Sequence, residues 1–362
     1  MSNDPANSAT AHDTAGEITR LSAWLDEHVP SLGSGPLTTA MIHGGTSNVI
    51  LSLDRGGERM VLRRPPAVPP PNSEKAILRE ARVLNALNGT PVPHPYCYGI
   101  CEDTSVIGAP FYVMELVDGW AGELRDGLIT HRAPFDTAPY EYRMQHALVD
   151  GIVALANVDY QAVGLGDFGK PDNFLARQVD RWSGQLQSYA QLYGYAGRDL
   201  PGYAEAEGWL RANVPTTSVT GILHGDMGTP NALFGFEPPA RLVALIDWEL
   251  STIGDPMLDL GWLCTQLRDE REPERCFPNA LYHVERMPTR QEMARYYAAG
   301  TGRDISNFDY YLILALFKAG CLLEYKVAQA QAGILSRETG ELFSRLVADN
   351  FSEAGRIIRS LG

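Results

Sequence analysis

Three residues, Asp226, Asn231 and Asp247, have the types and the spacing to carry out a recognisable chemistry. Asn231 follows Asp226 by five positions within Ile222–Asn231 (ILHGDMGTPN), and Asp247 closes the next apolar run in IDWE. Phosphoryl transfer to a hydroxyl needs such a trio. One carboxylate orients the hydroxyl and accepts its proton, while an amide oxygen and a second carboxylate hold the Mg²⁺ that bridges the phosphates. An H-G-D tripeptide alone would fit an ordinary turn, its aspartate closing an Asx-turn. The longer string is specific: HGDxxxxN, a hairpin, IDWE, then Gly254-Asp255-Pro256 with Asp259 beyond.

A second set of candidates lies near the start of the chain. Gly44-Gly45-Thr46-Ser47-Asn48 separates two strand-like runs. Main-chain N–H groups in such a turn can approach phosphate oxygens closely, because little side chain intervenes. The turn is neither a Walker A sequence nor GxGxxG. In Met60-Val-Leu-Arg-Arg64, strand alternation puts Val61 and Arg63 on one face. Glu80, on a following helical stripe, is the candidate carboxylate for Arg63.

These residues need elements to position them. Glu17–His28 reads as a helix, with Ile18, Leu21, Trp24 and Leu25 at helical spacing. Strands are predicted near Leu37–Ile42, Asn48–Leu53, Met60–Arg63, Tyr96–Cys101 and Phe111–Leu116, turning at Gly44-Gly45, Gly56-Gly57 and Gly108–Pro110. The proline-rich 65–72 must be a rigid loop. A helix over Glu74–Leu87, capped by Ser73, follows it. After Asp118-Gly119 helical patterns dominate: Tyr140–Asn157, Asn173–Tyr193, Gly202–Asn213, Leu258–Leu267, Arg290–Ala299 and Phe308–Ala332. Thr289 and Glu292 form a capping box for the fifth. One hairpin, Ala232–Phe236 with Leu242–Ile246, interrupts them. The expected fold is α+β: a β-rich lobe over 17–117, a helical lobe over 118–362, and a disordered tail over 1–16.

Composition narrows the partners. The 362 residues are 44% hydrophobic and 20% charged, ordinary for a globular protein. Lys+Arg 30 against Asp+Glu 44 gives a net charge of −14, which argues against nucleic acid. It also implies metal cations and local basic side chains wherever a polyanionic nucleotide binds. The five cysteines lack zinc spacing and read as buried thiols of a reduced, cytoplasmic protein. No targeting segment is visible and no apolar stretch is long enough to span a membrane. The mixed-charge run Arg268–Arg275 reads as a solvated helix end and loop.

HGDxxxxN followed by IDWE resembles the aminoglycoside phosphotransferase and choline kinase-like family, small-molecule relatives of protein kinases. That resemblance implies a two-lobed protein-kinase-like fold and a kinase using ATP and Mg²⁺. It implies Asp226 as catalytic base, Asn231 and Asp247 as metal ligands, and His224 and Asp259 as structural supports of the loop. It places Val61 as a floor for adenine and Arg63 on the α/β-phosphates, where the wider pattern has lysine. It also makes Glu115-Leu116-Val117 the hinge whose main chain meets the adenine edge. Gly44, Gly45, Ser47 and Asn48 complete the nucleotide set.

Only seven residues separate Asp247 from Asp255, too few for a peptide-holding segment, so the expected acceptor is a small molecule. Val163–Trp182 with VLRRPP and IDWELSTIGDPMLDLGWL is similar to the phosphotransferase domains associated with acyl-CoA dehydrogenases, over most of residues 35–330. No stretch here reads as the flavin-dependent dehydrogenase itself. The implied acceptor is a hydroxyacyl-CoA or hydroxy acid, met by side chains near Trp120, Asp167, Phe168, Asn173, Arg177 and Arg181. Two alternatives are an aminoglycoside or other amino-alcohol acceptor, which the acidic charge would attract, and a catalytically silent nucleotide-binding regulator. The sequence leaves the oligomeric state open.

Overall fold

A computed structural model describes residues 14–42, 48–125, 128–275, 277 and 282–362. Gly44, Gly45 and Ser47 of the expected phosphate turn lie outside the described residues, as does most of the expected tail. The first helix begins earlier than periodicity indicated, at Thr14. The chain forms two compact units: residues 1–89 with 94–117, and residues 90–93 with 118–362.

The first unit carries an antiparallel five-stranded sheet. Its strands are β1 (Leu37–Met41), β2 (Val49–Arg55), β3 (Glu58–Arg64), β4 (Cys97–Cys101) and β5 (Phe111–Glu115), in the order β1-β2-β3-β5-β4. Helix α1 (Thr14–His28) lays Leu21, Trp24 and Leu25 into the core shared with Leu53, Met60, Leu62, Phe111 and Val113. Helix α2 (Ser73–Leu87) buries Ile77, Glu80, Ala81, Leu84 and Leu87. Its cap differs from expectation. Asn72, in a left-handed conformation, occupies the N-cap, and the Ser73 hydroxyl instead donates to Pro70 O at 2.8 Å.

The second unit is mostly helical. Its helices are α3 (Ala138–Ala156), α4 (Phe174–Tyr193), α5 (Tyr203–Ala212), α6 (Met257–Cys264), α7 (Arg290–Thr301), α8 (Phe308–Gln331) and α9 (Arg337–Leu361). Three short pairs join them: β6 (Glu123–Arg125) with β7 (Leu128–Thr130), β8 (Gly221–Leu223) with β11 (Thr252–Gly254), and β9 (Ala232–Phe234) with β10 (Leu242–Leu245). Periodicity located every one of these helices except α9, the longest. Helix α8 is buried almost all round from Phe308 to Cys321, as a helix at the centre of a bundle must be. None of the described helices is long and apolar enough to cross a membrane.

The run Arg268–Arg275 is a loop, exposed at Glu270, Arg271, Pro273 and Glu274, but it is not simply solvated. Asp269 is buried and pairs with Arg271 at 2.8 Å, and Arg271 reaches Asp309 at 2.9 Å. Arg275 and the buried Arg290 both hold Glu353 of α9, at 2.7 and 2.9 Å, and Arg356 bonds Glu272 at 2.8 Å. The alternating charges fasten α9 to the segment that follows α6. Sequence patterning missed this because the partners outside the run, Asp309, Arg290, Glu353 and Arg356, are remote along the chain.

Candidate active site

The expected phosphoryl-transfer trio sits in the second unit on two adjacent loops. Strand β8 runs into His224-Gly225-Asp226, while β11 pairs with it antiparallel, Thr252 opposite Leu223. The hairpin β9–β10 brings Asp247 beside the same loop, because Ile246 N donates to Asn231 O at 2.9 Å. Asp247 adopts a left-handed conformation, φ 65°. That fixes its position two residues beyond the strand rather than at the strand end.

Asn231 is tied directly to Asp226. Its Nδ2 donates to the Asp226 main-chain oxygen at 2.9 Å and to the carboxylate Oδ2 at 2.8 Å. Both amide hydrogens are thereby committed inward, and Oδ1 is the atom left to face a cation. Asp226, Asn231 and Asp247 are all half-buried. Half-buried hard oxygens on neighbouring loops suit Mg²⁺, which keeps part of its water shell. The residues present therefore fit that ion.

Buried groups hold the loop from behind. Asp259 of α6 accepts His224 N at 2.7 Å and Gly225 N at 2.9 Å. The His224 ring accepts Asp226 N at Nδ1 (3.3 Å) and donates from Nε2 to Ile246 O (2.9 Å). Both ring nitrogens are occupied, and burial pushes the imidazole pKa down, so His224 is a neutral strut with no capacity as a general base. Gly225 has φ +88°, and a Cβ there would stand 2.4 Å from Leu250 O, so no other residue fits. Asp255 accepts Val219 N, Met257 N and the Tyr311 hydroxyl, at 3.1, 3.0 and 2.7 Å, which anchors the start of α6.

Sequence reasoning passed over Lys318. This buried residue of α8 donates from Nζ to Gly225 O at 2.5 Å, immediately before Asp226. Its ammonium lies 4.1 Å from the Trp262 ring centre and 5.5 Å from that of Trp182. Burial drives its pKa down to about 8, against the pull of the Asp226 and Asp259 charges. The one available signal was a lysine directly after the apolar run Tyr310–Phe317.

In the first unit, β3 presents Arg63 to α2, and Nη1 donates to Glu80 Oε1 at 2.6 Å, both residues buried. Arg63 stands opposite Tyr112 on β5, and Val61 opposite Met114. Glu115 N bonds Tyr96 O at 2.9 Å, whereas the Val117 main chain makes no hydrogen bond among the described residues. Asn48 directly precedes β2.

The expected acceptor contacts divide. Trp120 packs against Phe135 and Phe234, and Phe168 is buried, so both belong to the core. Arg177 donates to the carbonyls of Lys170 and Asn173, closing the start of its own helix. Arg181 is exposed, with its guanidinium 4.7 Å from the Trp182 ring centre. The neighbouring Asp180 pairs instead with Arg211 at 2.7 Å.

An antiparallel sheet with its buried Arg–Glu pair, and a helical unit with an HGD loop, define a kinase-like α+β phosphotransferase. The sequence model of the phosphotransferase enzyme family matches residues 38–298, and the chain belongs to that family. It is an enzyme that transfers a phosphoryl group to an alcohol acceptor.

Human acyl-CoA dehydrogenase family member 11 is 30% identical over 336 residues, 90% of this chain and 41% of that protein. The chain thus spans about two fifths of that relative's length. A candidate aminoglycoside phosphotransferase of Ralstonia eutropha JMP134 is 30% identical, with a TM-score of 0.77 covering 93% of this chain and 98% of that one. A thermostable mutant of another aminoglycoside phosphotransferase, crystallised with AMP-PNP and hygromycin B, shares the fold at 14% identity. Its TM-score is 0.54, over 94% of this chain and 98% of that one.

Proposed function

We propose that this enzyme transfers the γ-phosphoryl group of ATP to a hydroxyl of a hydroxy acid or hydroxyacyl-CoA. Asp226 accepts the hydroxyl proton as the acceptor oxygen bonds to the γ-phosphorus and the bond to the β–γ bridging oxygen breaks, releasing ADP. Mg²⁺, when bound, neutralises charge on the phosphates. Asn231 through Oδ1 and Asp247 through its carboxylate would hold it. Residues 17–117 bind the nucleotide: Val61 under the adenine, Arg63 on the α/β-phosphates with Glu80 fixing it, and Glu115 and Val117 at the adenine edge. Gly44, Gly45, Ser47 and Asn48 cover the phosphates. Residues 118–362 provide the catalytic loop and the acceptor site. A cytoplasmic setting, rich in ATP and reducing for thiols, fits the free buried cysteines.

The observation that carries this reading is the Asn231 amide, whose two donors hold Asp226 while its oxygen is left for a cation. The likeness to the acyl-CoA dehydrogenase relatives supports the acceptor class, and Arg181 is an exposed cation that could meet an acceptor carboxylate or CoA phosphate. A second reading, an amino sugar as acceptor, draws on the net charge of −14 and on the Ralstonia neighbour. ATP consumption with hydroxy acids, hydroxyacyl-CoAs, amino sugars and choline-like alcohols, with product mass detection, separates the two. Asp226→Ala should abolish turnover on every acceptor. Unchanged turnover in that variant would remove Asp226 from its role, and phosphorylated amino sugars alone would reassign the acceptor.

A further inference from the structure

Gly225 is gripped at both main-chain polar atoms by buried charged side chains from two helices. Asp259 of α6 accepts its N–H at 2.9 Å, and Lys318 of α8 donates to its carbonyl at 2.5 Å. The peptide that links Gly225 to Asp226 is therefore fixed on the Lys318 side at the residue before the base. At Asp226 itself, the Asn231 amide takes the next carbonyl at 2.9 Å. Because Gly225 has no side chain and an αL-like φ, nothing in its own covalent structure would hold that peptide plane.

Lys318 is well placed for this task and poorly explained otherwise. It is buried in α8 among Ile313, Leu314, Leu316, Phe317 and Cys321, a setting where an ammonium is costly. Among the described residues it makes no ion pair with a carboxylate. The Trp262 and Trp182 rings flank the ammonium, as partners for a desolvated cation. The charged groups that face it are Asp226 on the loop, Asp259 on α6 and Arg181 on α4. Helices α6 and α8 approach closely enough that a Cβ on Gly261 would stand 2.7 Å from Tyr311 O, and this contact sets Asp259 and Lys318 on the same glycine.

We infer that Lys318 is a positioning residue for phosphoryl transfer, holding the Gly225 carbonyl so that the Asp226 carboxylate points at the acceptor hydroxyl. The inference rests on Asp226 being the base. It predicts that loss of Lys318 lowers kcat and leaves nucleotide binding alone, because Lys318 touches the loop backbone and not the substrate.

The test compares Lys318→Met, Lys318→Gln and Lys318→Arg with the parent enzyme and with Asp226→Ala. ADP release from MgATP is followed with water as acceptor and with the best acceptor of the panel above. The two neutral variants should lose about 10- to 100-fold in kcat, the scale of one charge-assisted hydrogen bond, with KM for ATP within about twofold. Lys318→Arg, which keeps a cation able to stack on indole, should recover much of the loss. Circular dichroism and melting confirm that each variant folds, and either neutral variant alone suffices.

Parent-like kcat in a folded neutral variant overturns the inference, as does a raised KM with kcat unchanged. Equal loss in the Arg and Met variants also overturns it. Failure of all three to fold would do the same, by making Lys318 a folding element only. If Asp226→Ala keeps full turnover, the reading of the base fails instead, and the two failures are distinct.

Discussion

Arg63 in the sheet unit and Lys318 in the helical unit are both buried basic side chains, and they are accommodated in opposite ways. Arg63 in the sheet unit faces the Glu80 carboxylate at 2.6 Å. Lys318 in the helical unit has a carbonyl oxygen and two indole rings, and among the described residues no carboxylate bonds to it. The difference has a physical logic. A guanidinium paired to a carboxylate is held rigidly at one point, as a group that must meet phosphate oxygens should be. A carbonyl and aromatic faces hold the ammonium directly, while the Asp226 and Asp259 charges act on it from nearby without bonding it.

The largest expected effect tests what that arrangement protects. Asp226→Asn should lower kcat by about 10²- to 10⁴-fold, the usual contribution of a general base, with the melting temperature almost unchanged. Steady-state kinetics beside calorimetry reads both. In the sheet unit the balance should reverse. Glu80→Ala strands a buried guanidinium and should cost about 3 kcal/mol of stability, measured by urea unfolding, whereas Arg63→Met with Glu80→Leu should recover most of it. If Glu80→Ala were as stable as the parent, the contrast between paired and unpaired cations would be lost.

Acid gives a smaller signal and isolates the α9 network. Burial alone would raise the Glu353 pKa, but Arg356 and Arg290 hold it down at about 2. Its folded pKa lies below the unfolded value of 4.5, so the stability it contributes is complete above pH 4.5 and is lost as pH falls toward 2. Glu353→Gln should remove on the order of 2 kcal/mol at pH 6, and much less at pH 2.5.

The finest test returns to Lys318. Its folded pKa of about 8 lies below the ordinary 10.5, so the unfolded chain binds more protons between those values, and stability should rise with pH across that window. Relative to Lys318→Met, the parent should gain on the order of 1–3 kcal/mol from pH 7.5 to 10.5.

Several parts of the fold were legible because they are written locally. The strands of the first unit showed alternation and bounding glycines, and α4 and α8 began and ended within two residues of their expected limits. Thr289 accepts Glu292 N at 3.2 Å, one half of the expected capping box, while the Glu292 carboxylate accepts from the Tyr142 hydroxyl. Helix α9 was overlooked although Phe343, Val347, Phe351, Ala354 and Ile357 repeat at helical spacing. The pairs β6–β7 and β8–β11 could not be read, since three residues carry no measurable alternation. Within the site, Asp226, Asn231 and Asp247 stood out by type and spacing. The tether from Asn231 to Asp226 and the seat of Lys318 did not.

What the sequence determined by itself is the inventory: an HGD loop with its asparagine, a second aspartate after a hairpin, and a strand arginine with a helical glutamate to match. Side-chain chemistry and short-range periodicity are properties of neighbouring residues, so they survive in one dimension. Only the tertiary structure decided that Lys318, 93 positions from Gly225, closes on that glycine's carbonyl, and that Glu272 and Arg275 reach Arg356 and Glu353 of α9. Those partners are chosen by helix packing, and burial makes them consequential, because an ion taken out of water must find its counterpart wherever the chain happens to bring one.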